Sequence, residues 1–161
     1  MGGTNRTVAA AGDENYSYCD AMPDLEATVD YAVGNHLGSP LFVWGSSYSA
    51  GLVVRLAAER PDDVDAALAF SPASGGPMAD CSPNDAATAV KQPLLILRPA
   101  SEMSRESVAT QFELFESEGH QTYVAEHGVH GSSMLNEART GQPTDDTWDA
   151  VLAFLSSVSR P

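Results

Sequence analysis

The chain has 161 residues, 43% of them hydrophobic and 19% charged, which suits one domain with a sizeable core and is too short for two ordinary ones. That apolar share excludes disorder throughout, and no run approaches the roughly 18 apolar residues of a membrane-spanning helix. With 22 acidic against 8 basic residues, a net charge of −14 repels a phosphate backbone and excludes nucleic-acid binding.

Lys91 is the sole lysine, the other basic residues being arginines. An acidic, lysine-poor surface fits an ordinary soluble protein, and it equally fits adaptation to high salt. Met1–Arg6 has no apolar stretch behind its arginine, so no secretory signal is expected and the location is read as cytoplasmic. Cys19 and Cys81 form no CxxC pair. Zinc is therefore not expected, and each is read as a free thiol, with a bridge between them as the alternative.

Residues 1–22 are small, polar and weakly periodic, and they read as an irregular segment. From Pro23, Leu25, Val29 and Val33 recur every four residues, with Asp24 and Glu26 in the first turn, which predicts a helix ending near Gly34. Leu41–Trp44 is a short apolar run without alternation, the pattern of a strand buried on both faces. Leu52, Val53, Leu56 and Ala57 then mark one face of a helix that Arg60-Pro61 closes. Ala66–Phe70 is another strand, followed by a Pro- and Gly-rich loop and a short helix near Asn84–Val90.

Pro93–Leu97 is the clearest strand. Val108, Phe112 and Phe115 define a further helix that Gly119 can terminate, Gln121–Ala125 a last strand, and Thr144 caps a final helix whose Trp148, Val151, Leu152 and Leu155 share a face. Short apolar strands alternating with helices predict an α/β fold: a three-layer sandwich around a mostly parallel sheet.

The chemistry centres on Leu41–Gly51, where a buried strand runs into a small-residue turn and then a helix. Ser47 stands in the middle, with Gly45 two residues before it and Ser49 two after. A turn this sharp needs small flanking residues and projects the serine oxygen above the sheet. There the backbone N–H of Tyr48 can face a developing oxyanion. Read as a plain helix start, the three serines would simply be capping residues.

A serine nucleophile needs a base, and the base an orienting acid, in the order Ser, acid, His after such an elbow. The strand 93–97 runs into Arg98-Pro-Ala-Ser-Glu102, and the strand 121–125 into Glu126-His127-Gly-Val-His130. Both place their polar residues beyond the carboxyl end of a strand, where sites assemble in open α/β sheets. Glu106 and Glu126 are the substitute acids, and His127 reads as a surface residue or one that supports the site from behind. His36 and His120, near helix ends, read as structural, and the His127-x-x-His130 pair is better explained by this triad than by a metal.

The phrases VWGSSYSAGLVVRLAAERP, PLLILRPASE and GVHGSSML resemble the α/β-hydrolase superfamily, especially the dienelactone-hydrolase-like serine hydrolases. The resemblance implies Glu102 as the acid, in place of the commoner Asp, and His130 as the base, in its G-x-H-G setting. It implies a serine hydrolase, esterase-like, cleaving an ester or related acyl bond with Ser47, His130 and Glu102, with Tyr48 N–H as one oxyanion donor and without cofactor or metal. In that family the elbow follows the fifth strand of eight, whereas 46 residues precede Ser47 here. The expectation is therefore a partial hydrolase domain over 23–161, truncated in its early strands and in the loop that supplies the second oxyanion donor. Strand 41–44 would then be an apolar sheet edge, which a homodimer could cover. The alternative reading is a catalytically weak or inactive hydrolase-like binding module.

Overall fold

In the computed structural model, which describes residues 16–35 and 38–158, the apolar runs become four strands. They are β1 (Phe42–Ser46), β2 (Ala66–Phe70), β3 (Leu94–Pro99) and β4 (Gln121–Ala125). All pair parallel, in sequential order β1-β2-β3-β4, with Trp44 opposite Leu68, Leu68 opposite Leu95 and Leu97 opposite Tyr123. Parallel neighbours need crossovers. The helices are α1 (Met22–Asn35), α2 (Tyr48–Glu59), α3 (Glu106–Ser117), the single turn α4 (Glu137–Thr140) and α5 (Asp145–Val158).

The period-2 pleat sorts β2 and β3 between two cores. Ala67, Ala69, Leu94 and Ile96 face α1, α2 and α3, meeting Val29, Val54, Phe112 and Phe115. Leu68, Phe70, Leu95 and Leu97 face α5, meeting Val151 and Phe154. The three-layer α/β sandwich expected from the alternation is the observed architecture. Burying a side chain such as Phe70 or Phe154 contributes roughly 1.5–3 kcal/mol, so β2 and β3 anchor a rigid platform beneath the loops at their carboxyl ends.

Several expectations need correction. Cys19 and Cys81 are not free thiols but form a disulfide. Residues 62 apart are brought together because a 3-10 turn, Cys19–Ala21, packs on another, Gly76–Cys81, beside Leu52 and Met78. Order thus begins before residue 23: that turn leads directly into α1, which opens at Met22. The strand at 41–44 is not buried on both faces. Among the described residues β1 is an outer strand, and Trp44 is 42% exposed although its indole stacks on Phe70 at 4.4 Å. In α5, Trp148 and Leu152 lie on the exposed side while Val151 and Phe154 are buried, because β4 and the loop after it cover only half of the apolar stripe.

The short helix expected near Asn84–Val90 is a 3-10 turn over Pro83–Ala86. The remaining elements match their signals: Gly119 follows the end of α3, and the carbonyl of Thr144 accepts the first helical bond of α5 from Trp148 N–H. Most of the irregular segment, residues 1–15, and His36 lie outside the described residues. Among those described, no helix is long and apolar enough to cross a membrane.

Candidate active site

At the carboxyl end of β1 the chain reverses into α2 through Ser47, whose backbone adopts φ 60° and ψ −117°. A non-glycine residue at positive φ costs of order 1–3 kcal/mol and persists only where its surroundings over-determine it. Here they do. Ser47 N–H donates to Phe70 O at 2.9 Å, and its carbonyl accepts from Ala50, Gly51 and Ala73. A Cβ at Gly45 would lie 2.3 Å from the carbonyl oxygen of Ser49, so only glycine fits two residues before Ser47. Two residues after it, Ser49 is small enough for the turn and also bonds within it. Its hydroxyl accepts from Ser46 N–H and donates to Ser46 O, both at 2.9 Å, closing the elbow on itself.

The histidine arrives from the loop after β4. Ser71 Oγ accepts from Gly131 N–H and Ser46 Oγ from Ser132 N–H, both at 3.0 Å, tying this loop to the ends of β1 and β2. Gly131 itself has φ +67°, and a Cβ there would sit 2.3 Å from Ser46 Oγ. The loop can lie this close only because residue 131 is glycine. The result is that His130 Nε2 stands 2.9 Å from Ser47 Oγ.

The acid comes from the 3-10 turn Ala100–Glu102 that follows β3. Glu102 Oε1 lies 2.5 Å from His130 Nδ1. A carboxylate can only accept, so Nδ1 carries the proton and Nε2 of the neutral ring is left to accept from the Ser47 hydroxyl. Glu102 is almost fully buried, whereas the His130 side chain is 59% exposed. Burial pushes the Glu102 carboxyl up, but the hydrogen bonds from His130 and Arg98, with the guanidinium charge, outweigh it and hold it below the ordinary glutamate range.

Of the candidates read from sequence, Ser47, His130 and Glu102 are thus brought into one line. Glu106 and Glu126 are exposed and stand outside it, and His127 lines a separate small cavity with Tyr123, Met134 and Thr147. His120 is structural: Nε2 donates to Ala87 O at 2.8 Å and the ring packs near Phe115. Among the described residues no cluster of three His, Cys, Asp or Glu could hold a metal.

Tyr48 opens α2, so its N–H belongs to the first turn, which has no acceptor within the helix. Its ring stacks on Tyr18 with centroids 3.9 Å apart, and Tyr18 adjoins the tethered Cys19. Sequence reasoning missed this stacked pair, which joins residues 30 apart in the chain. A cleft of ≈ 210 Å³ opens beside the histidine, lined by Ser71, Ala73, Ser74, Arg105 and Val108. A larger cavity of ≈ 410 Å³ at Val33, Leu41 and Asp65 lies at the amino ends of β1 and β2, the wrong end for a site of this kind.

No protein-family model matches the sequence, and no curated protein matches it either. Solved structures do. A protein from Klebsiella pneumoniae assigned as a dienelactone hydrolase superposes with TM-score 0.63 at 18% identity, over 87% of this chain and 62% of that one. The acylaminoacyl peptidase of Pyrococcus horikoshii gives 0.61 at 15%, over 85% and 27%. The monoacylglycerol lipase of Paleococcus ferrophilus gives 0.59 at 15%, over 92% and 79%. The chain has the α/β-hydrolase fold, and it spans less than two thirds of the length of the first two of these proteins.

Proposed function

We propose that the protein is a serine hydrolase that cleaves an ester or related acyl bond of a small molecule. The observation that carries this reading is the unbroken line from Ser47 through His130 to Glu102, drawn from three loops onto a serine held at positive φ. Ser47 Oγ attacks the carbonyl carbon while its proton passes to His130 Nε2. The oxyanion that forms faces Tyr48 N–H at the positive end of α2, a donor worth about 3 kcal/mol of barrier. Collapse breaks the acyl bond to the leaving group, which takes the proton from Nε2. Water then repeats the sequence on the acyl-enzyme, with His130 again as base, and releases the acid. Glu102 fixes the tautomer throughout and stabilises the imidazolium.

A fluorophosphonate probe tests the reading, because only an activated serine is phosphonylated. We expect labelling and turnover of a short p-nitrophenyl ester, both lost in Ser47→Ala with the thermal midpoint nearly unchanged. A folded wild-type chain that is neither labelled nor active favours the hydrolase-like binding module instead. As a partner along the outer edge of β1 we propose a second copy of the chain, which would pair edge groups and cover Trp44. Sedimentation at low and molar salt reads this, and a compact monomer at both overturns it. A cytoplasmic location would require the Cys19–Cys81 bridge to be reduced or transient, since such bridges persist in oxidising compartments.

A further inference from the structure

One buried charge beside the site has no part in the chemistry above. Arg98 lies at the end of β3, opposite Val124, and only 5% of it is exposed. Burying a guanidinium costs several kcal/mol unless it is well paired. Arg98 Nε has no hydrogen-bond partner among the described residues, and a buried Arg–Glu pair is often no more stabilising than apolar residues of similar volume. Stability alone therefore does not account for it.

Its hydrogen bonds do. Nη1 donates to Glu102 Oε2 at 2.8 Å, while Nη2 donates to the carbonyl of Pro72 and to Gln111 Oε1. Gln111 is itself 1% exposed on α3, and its Nε2 donates to Asn84 Oδ1 at 2.7 Å. The guanidinium is thus braced by the loop after β2, by α3 and, through Gln111, by the turn at 83–86. Glu102 is gripped from both sides, with Oε2 on Arg98 and Oε1 on His130. A glutamate's terminal torsion is broad and soft. Without the second grip the carboxylate could rotate away from the imidazole.

We propose that Arg98 is a positioning residue for the hydrolysis proposed above: it holds the Glu102 carboxylate in the orientation that serves His130. The charged groups around that carboxylate are few. Arg98 comes from β3, His130 from the loop after β4, and Arg105 from the segment beyond the acid turn, its like charge acting on Arg98. The loop after β2 and α3 present to Arg98 the neutral Pro72 carbonyl and Gln111, and the turn at 83–86 reaches it through Asn84 on Gln111. Removing the guanidinium leaves burial, which raises the Glu102 carboxyl, opposed by His130 alone.

The test uses the full chain with Arg98→Gln and Arg98→Lys. In the glutamine variant kcat should fall about 100-fold, the scale of a misplaced catalytic group, with KM nearly unchanged. The acid limb of its kcat profile should move to higher pH, because the cation that opposes proton binding at the coupled Glu102–His130 pair is gone. Lysine keeps the charge without the planar fork, so its acid limb should stay in place while kcat recovers only in part. A uniform loss at every pH, or wild-type kcat in the glutamine variant, overturns the proposal. If the glutamine variant does not fold, the lysine variant decides, and wild-type kcat there overturns it. Carboxyl-carbon NMR of Glu102 requires no substrate. An upward-shifted titration in Arg98→Gln supports the clamp and an unshifted one refutes it, even if the probe shows that the serine is not activated.

Discussion

Replacing Gly131 by alanine tests how the histidine loop is held. Alanine at φ +67° carries the left-handed penalty of about 1–2 kcal/mol. Its Cβ would stand 2.3 Å from Ser46 Oγ, so one of the two must give way. The cheapest release sacrifices the bond from Ser132 N–H to Ser46 Oγ, a further ~1 kcal/mol. The sum is about 2–3 kcal/mol, which lowers the midpoint of a chain this long by roughly 5–10 °C. His130 is the adjacent residue, and displacing its ring by about 1 Å costs on the order of 100-fold in kcat. Gly141→Ala is the internal control. Gly141 has the same φ of +67° with nothing within 4 Å, so it carries the conformational penalty of about 1–2 kcal/mol alone and should keep full activity. Calorimetry and p-nitrophenyl ester hydrolysis on both variants measure the difference. If Gly131→Ala melts and turns over like Gly141→Ala, the loop is not held against Ser46 as described.

Further outcomes follow from the same geometry. His130→Ala should lose nearly all turnover and His127→Ala little, since only His130 meets both Ser47 and Glu102; comparable losses in steady-state assays would refute the assignment. Replacing Cys19 and Cys81 by serine opens a 62-residue loop and should cost about 4 kcal/mol on the chain-entropy estimate, read by urea denaturation, with an unchanged midpoint counting against the bridge. Because the folded Glu102 carboxyl lies below its ordinary value near 4.5, it contributes stability that is complete above that value and is lost as the pH falls through the folded one. Glu102→Gln, less stable at neutral pH because Arg98 is left unpaired, should therefore lose less further stability below about pH 5 than the wild type does. Parallel melting curves in acid would contradict that linkage.

Much of this fold was legible because its signals are local. The run Leu41–Gly51 contains the strand, the small-residue turn and the helix start that together force Ser47 into the elbow. Likewise Pro93–Leu97 and Gln121–Ala125 announce the strand ends beyond which Glu102 and His130 stand. Propensity and periodicity act over a few neighbouring residues, so they fix elements and their order. The choice among Glu102, Glu106 and Glu126, and between His130 and His127, needed the family resemblance and then the distances themselves.

What the tertiary structure alone decided involves partners far apart in the chain. Ser47 and His130 are 83 residues apart, and His130 and Glu102 are 28 apart. Their meeting depends on how three loops pack over one sheet end. In the sequence Arg98 simply follows a strand; only packing of the Pro72 loop, α3 and the turn at Glu102 gives its guanidinium its partners. Cys19 finds Cys81 because two 3-10 turns dock beside Leu52 and Met78, a contact with no local signature. The exposed side of α5 was hidden for a related reason. Hydrophobic pattern records which faces could be buried, and only the assembled layers determine which of them are.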